Sequence, residues 1–400
     1  MKKTAAVVGI LCVLTGALFA TEARIEGLGK TNVFFRDVTE IYYNPALLYN
    51  HVNSVEGEFG TYTGSAPMDS WAGFNHQLTE AIYWGIAAQR KEGEIGHLSG
   101  LELYPHNGLN ILLNYKMEAL SFGLGLYKSG NKSLEKSVNE EGDVVSETET
   151  SVGVLGFRVG GVFETYNESV FEGAVAINMN SYKNEQTVGD ETETNELDGG
   201  LGIDLKLRGF MPMFGEGTKF VPAFSLNTFS YKSKYENSAN PDLNTTSGSI
   251  SDMSMSLSAG LNHEVYGAMI AGGLSFDYIT HKDESDTTRT ITKTEIHLPR
   301  VNLGVEKELS DHFTGRFGLQ KIMGTITTKD EDSDGAYDEV TSIAAEDVYD
   351  ENFISAGLSA VFGDLSIDMA LETDALFNGG YIFSGVPASL NYKLSVLYTF

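Results

Sequence analysis

Cysteine is nearly missing from these 400 residues, and the one present, Cys12, lies close to the start of the chain. A disulfide framework and a cysteine-built metal centre are therefore excluded. Basic residues are scarce as well: 27 Lys and Arg stand against 55 Asp and Glu, a formal charge of −28. That balance excludes nucleic acid as a partner, because such binding depends on basic side chains neutralising phosphates. After the first twenty residues no stretch reaches the ~18 uncharged apolar residues of a membrane-spanning helix. Enzyme signatures are also missing, with no His-Glu-x-x-His, no Gly-x-Ser-x-Gly and no phosphate-binding glycine loop. What the chain does have is glycine, 44 residues against a usual ~7%, with 19 Tyr and 22 Phe. At 42% hydrophobic it is too apolar to be disordered throughout. Length alone would suggest two or three soluble domains, but this composition does not suit an ordinary soluble enzyme.

The two ends narrow the choice. Lys2 and Lys3 precede an apolar run from Ala5 to Leu18, the pattern of a secretory signal over residues 1–20. Cleavage after Ala20 is expected, with Ala23 as the alternative. Processing removes Cys12 and takes the charge from −28 to −30 with the loss of Lys2 and Lys3. At the other end Leu390, Tyr392, Leu394, Val396, Tyr398 and Phe400 are apolar at every second position, and the chain stops on the aromatic. The opposite face carries Asn391, Lys393, Ser395 and Thr399, with Leu397 the exception. This pattern resembles the terminal strand of bacterial outer-membrane barrels. The resemblance makes Tyr398 and Phe400 the signal read by the barrel-assembly machinery, and the cell outer membrane of a Gram-negative bacterium the expected location.

Between the ends the alternation recurs. Leu109, Ile111, Leu113, Tyr115 and Met117 alternate, Glu118 and Ala119 turn, and Leu120, Phe122, Leu124 and Leu126 alternate again. Gly123 and Gly125 fall on the opposite face and leave interior room. Polar loops are expected over 129–150, 184–196, 237–241, 282–288 and 329–350. Tight turns are expected at 118–119, 165–168, 310–312 and 363–364. About sixteen segments follow from residue 55, with fourteen as the alternative. The expected fold class is all-β, a transmembrane antiparallel β-barrel of 14–16 strands over residues 51–400. With the C-terminus in the periplasm, the tight turns are periplasmic and the long acidic loops extracellular. A soluble sandwich would also alternate, but has no reason to sort its connections by length.

Residues 21–50 differ in character. They run Ala23-Arg24-Ile25-Glu26-Gly27-Leu28-Gly29, then Asp37, then Asn44-Pro45-Ala46-Leu47-Leu48. This segment resembles the opening of the FadL-type family of outer-membrane transporters for long-chain fatty acids and other hydrophobic compounds. It is also similar to the related PorV-type barrels of secretion systems. Both typically show Ala-Arg-x-x-Gly-x-Gly, a downstream acid and Asn-Pro-Ala-Gly-Leu. Here Leu47 stands where glycine is usual and Lys30 where a second glycine is common. The resemblance implies a luminal hatch on the periplasmic side, with Gly27, Gly29, Asp37, Asn44, Pro45 and Ala46 as its gating residues. Physically, Asn-Pro favours a turn and proline extends the residue before it, and irregular backbone is tolerated inside a barrel lumen. A plain turn entering the first strand is the simpler reading of Asn44-Pro45.

Two further constellations carry chemistry. Asp330-Glu331-Asp332-Ser333-Asp334-Gly335 opens like a calcium loop, with Asp338 at position nine, so Asp330, Asp332, Asp334 and Asp338 are candidate Ca2+ ligands. Position twelve is Thr341, not the bidentate Glu, so a site there would be weak or borrow a ligand, and a solvated acidic loop is the other reading. No other cofactor is expected. Asn262-His263-Glu264 and Asp311-His312 fall at periplasmic turns in this topology, and the spacing of His97 and His106 matches no standard metal site. The chain therefore reads as not an enzyme. The expected function is passive uptake of small hydrophobic molecules such as long-chain fatty acids. The alternative is a PorV-type secretion or cargo-binding barrel, and an open cation-favouring porin is a third option. Expected partners are outer-membrane lipid and lipopolysaccharide, the assembly machinery and a hydrophobic small molecule.

Overall fold

The structure, a computed structural model, describes residues 21–61, 70–90, 106–139, 144–213, 217–241, 244–284, 289–332, 337–343, 352–371 and 392–400. The expected signal at 1–20 lies outside these residues, as does His97. One antiparallel sheet accounts for nearly everything. Its first strands are β1 (Ser54–Thr61), β2 (Ser70–Gln77), β3 (Ile82–Ala88), β4 (His106–Lys116), β5 (Leu120–Val138) and β6 (Val144–Glu164). Then come β7 (Val170–Val188), β8 (Glu191–Pro212), β9 (Thr218–Asn237), β10 (Thr245–Val265), β11 (Ala268–Asp283) and β12 (Arg289–Ser310). The last are β13 (Phe313–Asp332), β14 (Tyr337–Ile343), β15 (Asn352–Phe362), β16 (Leu365–Leu371) and β17 (Tyr392–Thr399).

The sheet closes because β1 pairs with both β2 and β17. Strands β14 and β15 share one place in the wall, pairing with residues 325–331 and 313–321 of β13 respectively. The barrel thus has sixteen strand positions, an even number that lets the first and last strands meet antiparallel.

Period-two patterning sets which face points where. In β5, Leu120, Phe122, Leu124 and Leu126 lie exposed on the outside, while Ser121 and Tyr127 are buried inside. Leu201, Ile203 and Leu207 of β8 repeat this pattern, giving the apolar outer band of a transmembrane barrel. The tight turns form where expected. A further two-residue turn, not among those expected, lies at Tyr266 and Gly267, with φ of 49° and 67°, the type I′ geometry that matches strand twist. These turns, the start of β1 and Phe400 define one end, the turn end.

The opposite end corrects the sequence reading. The segments expected as polar loops at 129–150 and 184–196 are largely strand in their described residues: β5 continues to Val138, β6 begins at Val144, and only Gly189 and Asp190 separate β7 from β8. Beyond the apolar band both faces of a strand meet water, so alternation fades from the sequence while the backbone ladder continues. In a closed barrel those ladders have partners on both sides and no bare edge. Ion pairs such as Lys132–Glu149 and Lys136–Glu147, each 2.7 Å, lace this polar upper wall. Being exposed, each adds at most about 1 kcal/mol.

Residues 21–53 turn into the lumen. Helix α1 (Glu22–Gly27) lies against β13 and β15–β17, a 3-10 turn at Asn32–Phe34 reaches β9–β11, and a 3-10 turn at Pro45–Asn50 packs on β3–β6. The segment therefore crosses the barrel from one wall to the other and plugs it.

Candidate functional site

The plug owes its shape to caps and glycine. Thr21 caps α1, its hydroxyl accepting from the Arg24 N–H. Past α1 the chain reverses through two left-handed residues, Gly29 (φ 68°) and Lys30 (φ 56°). The second position explains why glycine is common there in the family pattern, since a side chain in this region is strained. Asp37 caps the 3-10 turn Val38–Tyr42 by accepting from the Thr39 N–H at 2.8 Å, and Glu40 reaches back to the Asp37 N–H at 3.4 Å. Asn44 is extended, as a residue before proline must be, and its side chain accepts from the Ala46 N–H at 3.1 Å. Leu47 sits inside the following 3-10 turn, where no left-handed backbone is needed, and its side chain is buried. Its departure from the family's glycine therefore costs nothing locally.

Six expected gating residues come together in this plug, most of them against glycines of the wall. Gly123 and Gly160 face each other across β5 and β6 and form a slot for Asn44-Pro45-Ala46. A Cβ on Gly123 would collide with the backbone of Pro45 and Ala46. The Ala46 carbonyl is clasped there by Asn114 Nδ2 at 3.1 Å and Ser121 Oγ at 2.8 Å. A Cβ on Gly29 would lie 2.5 Å from the Leu319 amide nitrogen, and one on Gly27 would lie 3.1 Å from Gly357 Cα. The glycine noticed in the sequence as interior room is space that the plug occupies.

Apolar packing closes the rest. Val38, Ile41, Tyr42, Leu47 and Leu48 form one buried cluster with Trp71, Leu112 and Val162 of the wall. Leu28, Phe34 and Phe35 form another with Phe210, Val221 and Ala271. Fully burying each large side chain contributes about 1.5–3 kcal/mol. Asn262, expected as an exposed turn residue, instead points inward and donates to the Phe34 carbonyl at 3.0 Å. His263 and His312 do sit near the turn end, bonded to Thr218 and to the Val361 carbonyl.

Charge then ties plug to wall. Arg24 grips Glu306 with two 2.7 Å bonds, Arg316 binds the same carboxylate at 2.6 Å and Asp368 at 2.6 Å, and the Thr21 hydroxyl donates to Asp368 at 3.1 Å. Glu22 bridges Arg90 at 3.1 Å and Lys393 at 3.0 Å. Arg208 holds Glu40 and Glu172, each at 2.5 Å, and donates to the Asn32 carbonyl at 2.8 Å, while Arg36 also binds Glu172. Arg158 donates to the Tyr42 carbonyl at 2.5 Å. Of the eight arginines in the chain, seven are in the plug or point into the lumen, and Arg289 is the exception. Sequence reading did not single these out. The signal was present: Arg158, Arg208 and Arg316 each interrupt an alternating strand at a position that must face inward.

Protonation within the plug follows from burial and these partners. Burial pushes Asp37 up to about 7 against the pull of Thr39 and Arg24, and its Oδ2 has no hydrogen-bond partner. Burial, helped by Arg36 and Arg24, drops His51 to about 3. Burial alone would raise Glu22, but Arg90 and Lys393 outweigh it and hold the carboxyl at about 2.

On the loop-end side of the plug lies a cavity of about 280 Å³. Val33, Tyr43, Leu47, Ala174 and Ala223 supply its apolar lining, and Arg90, Lys206, Arg208, Arg300, Ser225, Ser256 and Ser258 its polar lining. The chain is a plugged, sixteen-stranded transmembrane barrel. No protein-family model matches it, and no curated protein matches it. Among solved structures it is similar to the toluene transporter TodX of Pseudomonas putida, at 12% identity over 95% of this chain and 98% of that one, TM-score 0.41. It is also similar to the alcaligin outer-membrane receptor FauA of Bordetella pertussis, at 9% identity over 86% and 75%, TM-score 0.37. The ferric citrate transporter FecA, at 8% identity over 80% and 65%, has a TM-score of 0.39.

The remaining expected sites lie elsewhere. Asp330 and Asp338 are register partners in the β13–β14 hairpin, and Arg289 clasps the Asp330 carboxylate with two bonds, the Nε one at 2.7 Å. Asp332 ends β13, while Asp334 lies outside the described residues. Among the described residues no group of three acidic, His or Cys side chains could hold a metal. Phe400 stacks on Phe74 at 5.9 Å and its N–H donates to the Asn53 carbonyl at 2.9 Å, beside the β17–β1 closure. Tyr398 is exposed on the outer face. The inner face of β17 has a role the alternation did not show: Lys393 binds Glu22, and Ser395 Oγ accepts from the Ala23 N–H at 3.3 Å, so the terminal strand also anchors the plug.

Proposed function

We propose that this chain resides in the outer membrane as a FadL-type channel, through which small hydrophobic or amphipathic molecules, long-chain fatty acids among them, pass inward without energy coupling. In this reading the turn end faces the periplasm and the polar upper wall faces outward. The observation that carries it is a lumen filled by residues 21–53 with a cavity on the outer side of that filling. An unplugged barrel of this size would hold an aqueous channel. Apart from its chain connection into β1, the plug is held by ion pairs, glycine slots and apolar packing, so a shift of the plug or a lateral gap would release a bound molecule. Asp37, Asn44 and the glycines at 27 and 29 then act as its hinge and seating residues.

A tether tests the reading. With Cys12 in the expected signal, cysteines placed by Ala23→Cys and Ser395→Cys would be the sole pair in the mature chain, at two positions already in contact through the Ala23 N–H and Ser395 Oγ. In proteoliposomes, flux of labelled oleate should fall when this pair is oxidised and return on reduction. Flux that is absent in the wild-type chain would defeat transport, and flux unchanged by the oxidised tether would defeat a plug shift. The tall polar wall favours the PorV-type reading as the second choice, because it offers a broad surface to a protein cargo. Co-purification of one exported protein, with no oleate flux, would decide for it.

A further inference from the structure

The charges that line the cavity above the plug are engaged within the protein. Arg90 pairs with Glu22 at 3.1 Å, Arg300 with Asp277 at 3.1 Å, and Arg208 with Glu40 and Glu172 at 2.5 Å each. Lys206 stands over the Tyr43 ring, 3.7 Å from its centroid. A charged ligand would find no counter-charge there without breaking one of these pairs, and an unpaired buried charge is costly. The cavity therefore selects against ions of either sign.

Two neighbouring hydroxyls, by contrast, are open to a ligand. Ser225 of β9 and Ser256 of β10 are register partners and both line the cavity. Among the described residues Ser225 Oγ has no hydrogen-bond partner. Ser256 Oγ meets Ser258 and Arg300 Nη2 at 3.5 Å, too long for a good bond. Ser258 itself is already paired with Ser275 at 2.8 Å. Residues opposite each other on adjacent strands hold their Cβ atoms about 4.5–5.5 Å apart. The two hydroxyls can thus bracket a single oxygen, one donating to it and the other accepting its proton. Val33 and Leu47 of the plug, with Ala174 and Ala223 of the wall, supply apolar lining.

We propose that this cavity binds a compact neutral alcohol: one hydroxyl, held between Ser225 and Ser256, on a ring or short aliphatic body that lies against the apolar lining. The inference rests on the channel reading and narrows its ligand class; a fatty acid would enter this cavity only as the uncharged acid. Size agrees. A cavity of about 150 Å³ accommodates one benzene ring, and the 280 Å³ here holds such a ring with a hydroxymethyl arm. Benzyl alcohol is the probe. Ethylbenzene, benzoate and benzylammonium are counterparts of similar shape that put a methyl, an anion or a cation in place of the hydroxyl.

The experiment is equilibrium dialysis of labelled benzyl alcohol against the purified full-length barrel in detergent, with protein-free micelles as the blank. Saturable binding of one molecule per chain is expected above the blank, with each counterpart at least about tenfold weaker as a competitor. Ser225→Ala and Ser256→Ala should each weaken benzyl alcohol about three- to tenfold, the net worth of one hydrogen bond, and leave ethylbenzene unchanged. Ser225→Thr keeps the hydroxyl and should bind like wild type. Any counterpart competing as well as benzyl alcohol, or benzyl alcohol binding unchanged in the double variant Ser225→Ala, Ser256→Ala, would overturn the proposal. So would a lack of saturable binding to a barrel that carries oleate, an outcome that leaves the channel reading standing. Saturable binding without any flux would defeat the channel reading and leave the site standing.

Discussion

The sharpest test of the plug uses two neighbouring glycines on opposite faces of the barrel wall. Gly123→Ala places a Cβ where the Pro45 and Ala46 backbone already sits, and neither partner is a flexible side chain that could move aside. Gly161 lies on β6, one residue from the slot glycine Gly160, and a Cβ there meets nothing within 4 Å. Overpacking of this kind costs about 1–3 kcal/mol, so the docked-to-released ratio of the plug should fall roughly five- to 150-fold at about 1.4 kcal/mol per factor of ten. Gly161→Ala should leave it unchanged. Single-channel recording in planar bilayers reads the difference directly: Gly123→Ala should show frequent openings, and wild type and Gly161→Ala long closed periods. Thermal melting of the same samples checks that all three barrels remain folded. If Gly123→Ala and Gly161→Ala gave the same open probability, the lumen would not be sealed by residues 44–46 seated in that slot, and the plug argument would be wrong.

Four more outcomes follow from the same geometry. Arg24→Met leaves Arg316 alone to serve both Glu306 and Asp368, so one buried carboxylate loses its counter-charge at a cost of about 3–5 kcal/mol; limited proteolysis should then cut within residues 21–50, which stay protected in wild type. Plug docking should respond to pH through two opposing groups. Asp37, raised from 3.8 to about 7, binds its proton more tightly when docked, so its contribution is full below about pH 4 and is lost as pH rises toward 7. His51, lowered from 6.5 to about 3, does the reverse, its contribution being lost as pH falls from 6.5 toward 3. Open probability should therefore lose its rise toward pH 7 in Asp37→Asn and its rise toward pH 3 in His51→Gln, and identical pH curves in both variants would reject these assignments. Calcium titration by calorimetry should give no heat, because Arg289 already holds the Asp330 carboxylate; a heat that vanishes in Asp334→Asn would instead assign the ion to the acidic hairpin. Phe400→Ala removes the stack on Phe74 beside the β17–β1 closure, and should lower the yield of barrel that runs folded on unheated gels.

Much of this architecture was legible because a strand in a membrane has few choices. Alternation forced Leu120, Phe122 and Leu124 to one face, and tight turns such as Gly363 and Asp364 carried their own conformational demand. The termini supplied direction. Alternation stops being informative where both faces are wet, which is why the upper halves of β5–β13 read as loops. The plug was legible as a segment of different character, with Asn44-Pro45 marking a turn, but its partners were not. A one-dimensional pattern cannot tell that Gly123 and Gly160 lie opposite each other, or that Lys393 near the C-terminus meets Glu22 near the N-terminus.

The sequence by itself determined the class of object: strands of membrane-spanning period, a near absence of cysteine, and an acidic surface that nucleic acid would avoid. Those properties are sums over composition and short-range spacing, which survive without any knowledge of neighbours. Only the tertiary structure decided what the few basic residues are for. Closing sixteen strand positions into a ring aims Arg158, Arg208, Arg300 and Arg316 at a common axis, where a segment more than a hundred residues away brings Glu40 and Glu22 to meet them or their neighbours. Charges too sparse to register in an acidic chain thereby become dense inside its lumen, because burial and convergence, and not their number, set the local field.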